Sequence, residues 1–502
     1  MVRRVGSIYP VAKRTEMVGF RAALVGRLCL FGPIENGGFV FRRLLIANRG
    51  EIALRIARGC RELGVEPVMI YSEADRGAPW LEEAAQAVCV GPARAAASYL
   101  DQDAVLQAAE QADCQAVHPG YGFLAENALF AARCAQQGLT WVGPPAAAIR
   151  AMGDKAEAKK SIAAAGLPTI PGSDDVLSGV DEARRLAAKV GYPVLLKATA
   201  GGGGKGMRRC DSEDEIDSAY AEASMEAGKA FGNASLYLEK LILGGRHIEF
   251  QLLCDGFGNG LHLGERECSI QRQHQKLVEE APSPVMSSEV REKMGRKVAR
   301  ALSKLGYRNA GTVEFLRDRD GKFYFMEVNT RLQVEHPVTE MWTGLDLVAR
   351  QLQIAANCPL DLKQSEVQFQ GHAIEFRINA EDPDQGFRPD PGKIVRFRAP
   401  EVSRAGARVR WDSAVREGYR IPPNYDSMIG KLIVHAADRE AAIEAGREAL
   451  SSLVLDGVKT TIPFHLWLLS DPGFRSGEYN IDHLADLGPL RTGESGPVGG
   501  SA

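Results

Sequence analysis

From Arg43 onward the chain alternates between short apolar runs and helical repeats. Leu44 to Ala47 is apolar, Asn48 to Gly50 is a polar loop, and Ile52, Ala53, Ile56, Ala57 and Cys60 then recur at the spacing of a helix with one buried face. Gly64 is placed to stop that helix, and Pro67 to Tyr71 reads as the next strand. A strand, a helix and a second strand in this order predict a parallel pair with a crossover. The same signals continue to Trp141-Val-Gly-Pro-Pro, so residues 43–153 are expected to form an open α/β domain. No G-x-G-x-x-G follows the first strand, which argues against a dinucleotide site.

A second block, residues 154–370, opens at Met152-Gly-Asp-Lys and passes through Gly191-Tyr-Pro-Val-Leu-Leu-Lys-Ala to the glycine run Gly201 to Gly204. Strand patterns dominate from Ile248 to about Asn329, interrupted by one long helix from Ser288 to Leu305, and this mixture reads as α+β. Residues 371–486 are strand-rich as far as Val434 and carry a helix over about Arg439 to Leu450. Residues 487–502 form a Gly- and Ser-rich tail expected to be flexible, and no internal repeat is visible. Residues 1–42 carry Arg3, Arg4, Lys13, Arg14, Arg21 and Arg27 against Glu16 and Glu35. This basic stretch is poor in Ser, so it reads as a disordered extension or an upstream start in preference to an organellar transit peptide.

Composition narrows the function classes. At 502 residues the chain exceeds the roughly 250 to 300 residues that one core serves, so several domains are expected. A hydrophobic fraction of 45% and a charged fraction of 25% are those of an ordinary globular protein. A net charge of -3 offers no basic field for a phosphate backbone, which excludes nucleic acid as an expected partner. The nine cysteines are scattered without a C-x-x-C pair, favouring a reducing cytoplasm over a disulfide framework or a zinc site. Cys268 is read as structural. No apolar run approaches the roughly 20 residues of a membrane span.

Gly201, Gly203 and Gly206 satisfy G-x-G-x-x-G, but Met207-Arg-Arg-Cys follows where a Rossmann turn would open a helix. Gly206 follows Lys205 where a Walker A loop needs Ser or Thr. The remaining reading is a flap between two strands whose backbone amides close over phosphates. Lys197 supports it, because an unpaired ammonium at the end of the apolar strand Pro193 to Leu196 would be costly without an anionic ligand.

Asp320-Gly321 is a strong hairpin signal. With those two residues as the turn, Arg319 faces Lys322 and Glu314 falls opposite Glu327. Two carboxylates about 5 Å apart repel by roughly 3 kcal/mol at an effective dielectric of 20, so the pair calls for a divalent cation such as magnesium. Continued as an extended strand, the segment puts Asn329, Arg331, Gln333 and Glu335 on one side and Val328, Leu332 and Val334 on the other. That series supplies metal ligands, a cation for an anionic substrate and a base. The same alternation would align Arg272, His274 and Lys276 on one face of Ile270 to Leu277 as a cationic strip.

Read together, Met152-Gly-Asp-Lys155, Lys197 with its glycine loop, Gln271-Arg-Gln-His274-Gln-Lys276 and Glu327-Val-Asn-Thr-Arg331-Leu-Gln-Val-Glu335-His-Pro resemble the ATP-grasp fold and, more narrowly, biotin carboxylase. Ile46-Ala-Asn-Arg-Gly-Glu-Ile-Ala, His118-Pro-Gly-Tyr-Gly-Phe-Leu, Arg377-Ile-Asn-Ala-Glu-Asp-Pro and Tyr425-Asp-Ser-Met-Ile-Gly-Lys-Leu extend the resemblance from Arg43 to about Leu484. It implies an N-terminal α/β domain, an ATP-grasp domain with a mobile glycine-loop lid over about 170–242, and a C-terminal biotin carboxylase domain.

The resemblance implies that Lys155, Lys197, Gly203, Gly204, His247 and His274 meet the ATP phosphates or their surroundings, with Glu239, Lys240 and Ile242 near the adenine. It assigns magnesium or manganese to Glu314, Glu327 and Asn329, and bicarbonate to Lys276, Arg331 and the backbone of Val334. Glu335 becomes the base. Arg377, with Arg331 and Tyr121, would meet biotin, itself a substrate borne on a carrier protein. Ala200 and the run Gly386-Phe-Arg-Pro-Asp-Pro-Gly depart from the family pattern without touching these positions.

No lysine between methionines appears after Val434, which implies a separate biotin carboxyl carrier protein and separate carboxyltransferase subunits. The family precedent is a homodimer, and acetyl-CoA carboxylase of fatty acid synthesis is the expected setting, with propionyl-CoA and pyruvate as other acceptors. Competing readings are another ATP-grasp ligase, such as part of a carbamoyl phosphate synthetase, and a nucleotide-binding regulatory homologue. Arg331, Glu335 and Arg377 favour biotin over the first, and the full set of ionisable site residues argues against the second.

Overall fold

The structure is a computed structural model that describes residues 41–488 except 174 and 200–205. The basic extension before Phe41, the glycines Gly203 and Gly204, and most of the C-terminal tail therefore lie outside the described residues. The first unit forms as expected. Strands β1 (Arg43–Ile46), β2 (Glu66–Tyr71), β3 (Gln86–Cys89), β4 (Ala116–His118) and β5 (Thr140–Trp141) make a parallel sheet in the order β3-β2-β1-β4-β5. Helix α1 (Gly50–Glu62) crosses between β1 and β2, burying Ile52, Ala53, Ile56, Ala57 and Cys60, and Gly64 follows its end at φ +73°. That left-handed conformation is cheap only for glycine.

A small antiparallel sheet follows, with β6 (Val194–Ala198) between β7 (Met207–Cys210) and β8 (Leu236–Lys240). The two strands expected to flank the glycine run are thus present and paired. The main sheet is eight-stranded and antiparallel. It begins β13-β12-β9-β10-β11-β14, from β9 (Arg246–Cys254), β10 (Gly260–Arg272), β11 (Gln275–Ala281), β12 (Asn309–Arg317), β13 (Phe323–Asn329) and β14 (His372–Asn379). Met428–Ala436 and Arg408–Ser413 complete it. Because β11 pairs with β14, one continuous sheet runs across residue 370 and carries site residues from both sides of that position.

Period-two alternation gives this sheet its two characters. On β9, Ile248, Phe250, Leu252 and Cys254 join Val313, Phe315, Phe323, Phe325 and Val328 in a core covered by helix α2 (Ser288–Lys304) and by Ala158 and Ile162. The intervening His247, Glu249 and Gln251 are equally buried but point to the other face, where a polar site forms. On its outer side α2 exposes Lys293, Lys297, Arg300 and Lys304, of which Lys304 lies in the last turn, where the C-terminal carbonyls favour a cation. Among the described residues no helix is long and apolar enough to cross a membrane.

Candidate active site

The hairpin β12–β13 places Glu314 opposite Glu327, as the sequence suggests, but by a different route. The turn is wider than Asp320-Gly321: Asp318 N–H donates to Lys322 O and Gly321 N–H to Asp318 O. Arg317 therefore pairs with Phe323 and Phe315 with Phe325, one residue out of the expected register. A β-bulge beyond Phe325 restores it, leaving Met326 exposed and Glu327 facing Glu314. The bulge re-aims one carboxylate into the site.

Lys276 is the hub. Its Nζ donates to Glu249 Oε2 at 2.6 Å, Glu335 Oε1 at 2.7 Å and Glu314 Oε1 at 3.0 Å. Burial alone would lower the ammonium pKa, but three carboxylates outweigh it and hold the value well above the ordinary one. The expected strip of Arg272, His274 and Lys276 does not form. Gln273 and His274 are a tight turn with φ 48° and 68°, so Ile270 to Leu277 folds back on itself. Lys276 enters the site, His274 is exposed at the tip, and Arg272 stacks on Phe387 at 4.9 Å.

The strand does not continue through Glu335 either. β13 ends at Asn329, and Glu335 stands at the N-cap position of helix α3 (His336–Thr343) without a side-chain capping bond, while Pro337 suits the first turn. The side chains still converge, through the turn. Arg331 Nη2 donates to Asn329 Oδ1 at 2.9 Å and its Nε to Glu126 Oε2 at 3.1 Å. Glu335 Oε2 accepts from Arg377 Nη2 at 2.9 Å. Burial pushes Glu335 up, but Lys276, Arg377 and Arg266 together hold its carboxyl well below the usual range. Arg377 Nε also donates to Glu279 Oε1 at 2.6 Å.

Several participants escaped the sequence reading. Arg266 is fully buried and donates to Glu249, Gln251, Thr312, Gln333 and Thr339, at 2.5 to 3.2 Å. It fixes Gln333, whose Nε2 reaches Glu314 Oε1 at 2.8 Å. Lys431, also fully buried, donates to Val334 O at 2.9 Å and lies 3.1 Å from Glu51, which bonds the Tyr121 hydroxyl. The alternation of His247, Glu249 and Gln251 was a visible signal for part of this bed. Nothing local marked Arg266 or Lys431, whose partners are distant in sequence.

Lys197 is not unpaired: its Nζ donates to Glu239 Oε2 at 2.7 Å, so the premise of a lone ammonium is corrected. Lys159 reaches the other Glu239 oxygen at 3.4 Å. Lys240 Nζ donates to the carbonyls of Gly191 and Tyr192, and Lys240 and Ile242 line one cleft with Pro193 and the hairpin tip Asp318 to Asp320. His247 Nε2 approaches Glu314 Oε2 at 3.0 Å without hydrogen-bond geometry. Lys155, exposed at the start of its helix, acts electrostatically on Glu327.

The acid pair suits a divalent cation. Glu327 is half-buried and makes no hydrogen bond among the described residues, and burial and then the Glu314 charge raise its pKa. Glu314 is in the opposite state: burial raises it, but Lys276 and His247 bring it well below the usual range. Hard carboxylate oxygens facing each other on neighbouring strands are the donor set magnesium takes. The Asn329 amide is occupied at both ends, by Glu314 and by Arg331.

Comparison with known proteins bears directly on this arrangement. The family description "Biotin carboxylase, N-terminal domain" matches residues 40–149, "Carbamoyl-phosphate synthase L chain, ATP binding domain" matches 154–363, and "Biotin carboxylase C-terminal domain" matches 375–486. A biotin carboxylase of Nostoc sp. is 51% identical over 89% of this chain and 99% of its own. The chain belongs to the biotin carboxylase family. Its members are ATP-dependent ligases, and this chain is one. The fold agrees: a parallel N-terminal α/β domain, an ATP-grasp central domain and the family's C-terminal domain. A pyruvate carboxylase subunit of Methanothermobacter thermautotrophicus is 50% identical over 89% of this chain and 90% of its own. Among solved structures, the biotin carboxylase domain dimer of 2-oxoglutarate carboxylase from Hydrogenobacter thermophilus, with MgADP, ADP and bicarbonate, is 48% identical with a TM-score of 0.82, covering 89% of this chain and 97% of its own.

Proposed function

We propose that this site carboxylates biotin on a separate carrier protein, using ATP and bicarbonate. The observation that carries the reading is the Glu335 carboxylate held between Lys276 at 2.7 Å and Arg377 at 2.9 Å. Bicarbonate is bound by Lys276, Arg331 and the backbone of Val334. As its negative charge engages Lys276, the grip on Glu335 loosens and the carboxylate becomes a better base. Glu335 takes the bicarbonate proton, a bicarbonate oxygen attacks the γ-phosphorus, and ADP leaves with the electrons of the broken P–O bond. The product is carboxyphosphate.

Lys155, Lys197, His247, His274 and the backbone of Gly203 and Gly204 serve the phosphates, while Glu239, Lys240 and Ile242 frame the adenine. Glu314 and Glu327, with Asn329 beside them, would hold magnesium or manganese, which supplies charge neutralisation for the phosphates. Carboxyphosphate then breaks into CO2 and phosphate. Phosphate removes the ureido proton of biotin, and the deprotonated nitrogen attacks CO2. Arg377, with Arg331, stabilises the negative oxygen that develops on the ureido group, beside Tyr121.

The proposed setting is cytoplasmic, with a biotin carboxyl carrier protein, separate carboxyltransferase subunits and a second copy of this chain; a dimer is described for the Hydrogenobacter relative. The acceptor is assigned to the carboxyltransferase. Relatives named simply as biotin carboxylase and one named for pyruvate carboxylase stand at 51% and 50% identity, so similarity does not sort by acceptor. Acetyl-CoA is the acceptor we propose, and the carboxyltransferase that copurifies tests it. The activity is tested by bicarbonate-dependent ADP release with and without free biotin. Stimulation by biotin that Glu335→Gln abolishes is expected; biotin-independent turnover untouched by that substitution would overturn the assignment.

A further inference from the structure

Behind Arg377 lies a second buried acid that the chemistry above does not use. Glu375 stands on β14 two residues before Arg377, so both side chains share one face of the sheet. It is fully buried, and neither carboxyl oxygen has a hydrogen-bond partner. Directly opposite on β11 is Glu279, equally buried, whose Oε1 accepts from Arg377 while its Oε2 has no donor. Two facing carboxyl groups thus present three buried oxygens without a donor among the described residues. Two buried carboxylates side by side are costly unless a proton or a cation compensates one of the charges.

Among the described residues no spare cation is at hand. Arg377 is divided between Glu279 and Glu335. Lys431, on the strand beyond β14, is committed to Val334 O and Glu51. Arg410 is committed to Asp412 and Glu340, and His336 at the start of α3 is buried and held well below its usual pKa by burial and by Lys431, Arg55 and Arg410. The other cations of the site, Lys276 and Arg266, serve Glu249, Glu314 and Glu335.

We propose that Glu279 and Glu375 form an acid pair that shares one proton at rest, and that Glu375 is a positioning residue for Arg377. With a single negative charge, the pair holds Arg377 through Nε and Nη2 at Glu279 Oε1, at 2.6 and 2.5 Å, while Nη2 still reaches Glu335 at 2.9 Å. Were both acids ionised, they would compete with Glu335 for the guanidinium and pull it off the reacting groups. The electrostatics agree: burial, aided by the Glu335 charge, outweighs Arg377 and pushes Glu279 up to about 7, and burial foremost holds Glu375 well above the carboxylate range despite Lys431. This inference rests on the role given to Arg377, but the proton itself can be observed independently of any activity.

The test is infrared spectroscopy of the full chain, following the carbonyl stretch of protonated carboxyl groups, combined with the pH profile of biotin-dependent ADP release. Wild type should show a protonated carboxyl near neutral pH that Glu375→Gln lacks. The alkaline limb of kcat should move up by about one unit or more in that variant, because the pair can no longer gain its second charge. Absence of the band in wild type, its persistence in Glu375→Gln, or an unmoved alkaline limb overturns the proposal. Should Glu375→Gln fail to fold, a wild-type titration decides: band and kcat must decline over the same pH interval, and separate midpoints refute the link. A chain that shows the band but has no bicarbonate-dependent activity would refute the proposed function instead.

Discussion

Replacing Lys276 by methionine should remove one charge and leave three buried carboxylates facing one another. Each contact of the ammonium, at 2.6 to 3.0 Å, corresponds to about 6 kcal/mol at an effective dielectric of 20, and the sum is largely offset by the desolvation of four buried ions. What a stability measurement registers is the cost of stranding charge, about 3–5 kcal/mol for a broken buried pair. That cost should depend on pH. In wild type, Glu314 and Glu335 have folded pKa values depressed below the unfolded value of about 4.3, so their contribution is present above that value and lost as pH falls through the folded ones. Without Lys276 the balance moves toward burial, the folded values rise, and the variant loses stability as pH climbs. Unfolding free energies from urea titration of wild type and Lys276→Met should therefore differ by the full about 3–5 kcal/mol near about pH 8, narrow toward about pH 5 as the variant's carboxyls protonate, and close only as pH falls through the depressed wild-type values. A difference below about 1 kcal/mol at the alkaline end, or one that is flat with pH, would refute the assignment of Lys276 as the charge hub.

Other substitutions separate chemistry from folding. Glu335→Gln should lower kcat by about 10²–10⁴-fold while leaving the KM for ATP within about threefold in steady-state kinetics. Glu327→Gln relieves a like-charge pair and should stabilise the metal-free chain by up to about 1 kcal/mol, yet raise the magnesium concentration for half-maximal activity about 10–100-fold, a combination that a merely structural role does not produce. Lys431→Met strands the buried Glu51 carboxylate and frees the Val334 carbonyl; thermal and urea denaturation should register a loss of about 3–5 kcal/mol.

The legible parts of the chain were those whose signals are local. The helix of Ile52, Ala53, Ile56, Ala57 and Cys60 and its glycine stop follow from periodicity, and the pairing of Glu314 with Glu327 follows from counting back from a turn. That count was right because two departures cancelled: a wider turn and a bulge beyond Phe325. Neither is written in residue type alone. The extension of β13 through Glu335 failed because a period of two in polarity is equally satisfied by a turn feeding a helix, and Pro337 is at home in that helix's first turn. The strip of Arg272, His274 and Lys276 failed for a similar reason, since Gln273 and His274 take positive φ without a glycine to announce the reversal. Arg266 went unread, and Lys431 lay within the motif beginning at Tyr425 without a role, because a buried cation is recognised only by partners brought from elsewhere in the fold.

The central claim is that bicarbonate, deprotonated by Glu335, attacks the γ-phosphate before carbon reaches biotin. Turnover with ¹⁸O-labelled bicarbonate, followed by mass analysis of the released phosphate, tests it most directly. The account predicts that one bicarbonate oxygen appears in each phosphate formed in the presence of biotin. Phosphate that carries no label while carboxybiotin accumulates would contradict it.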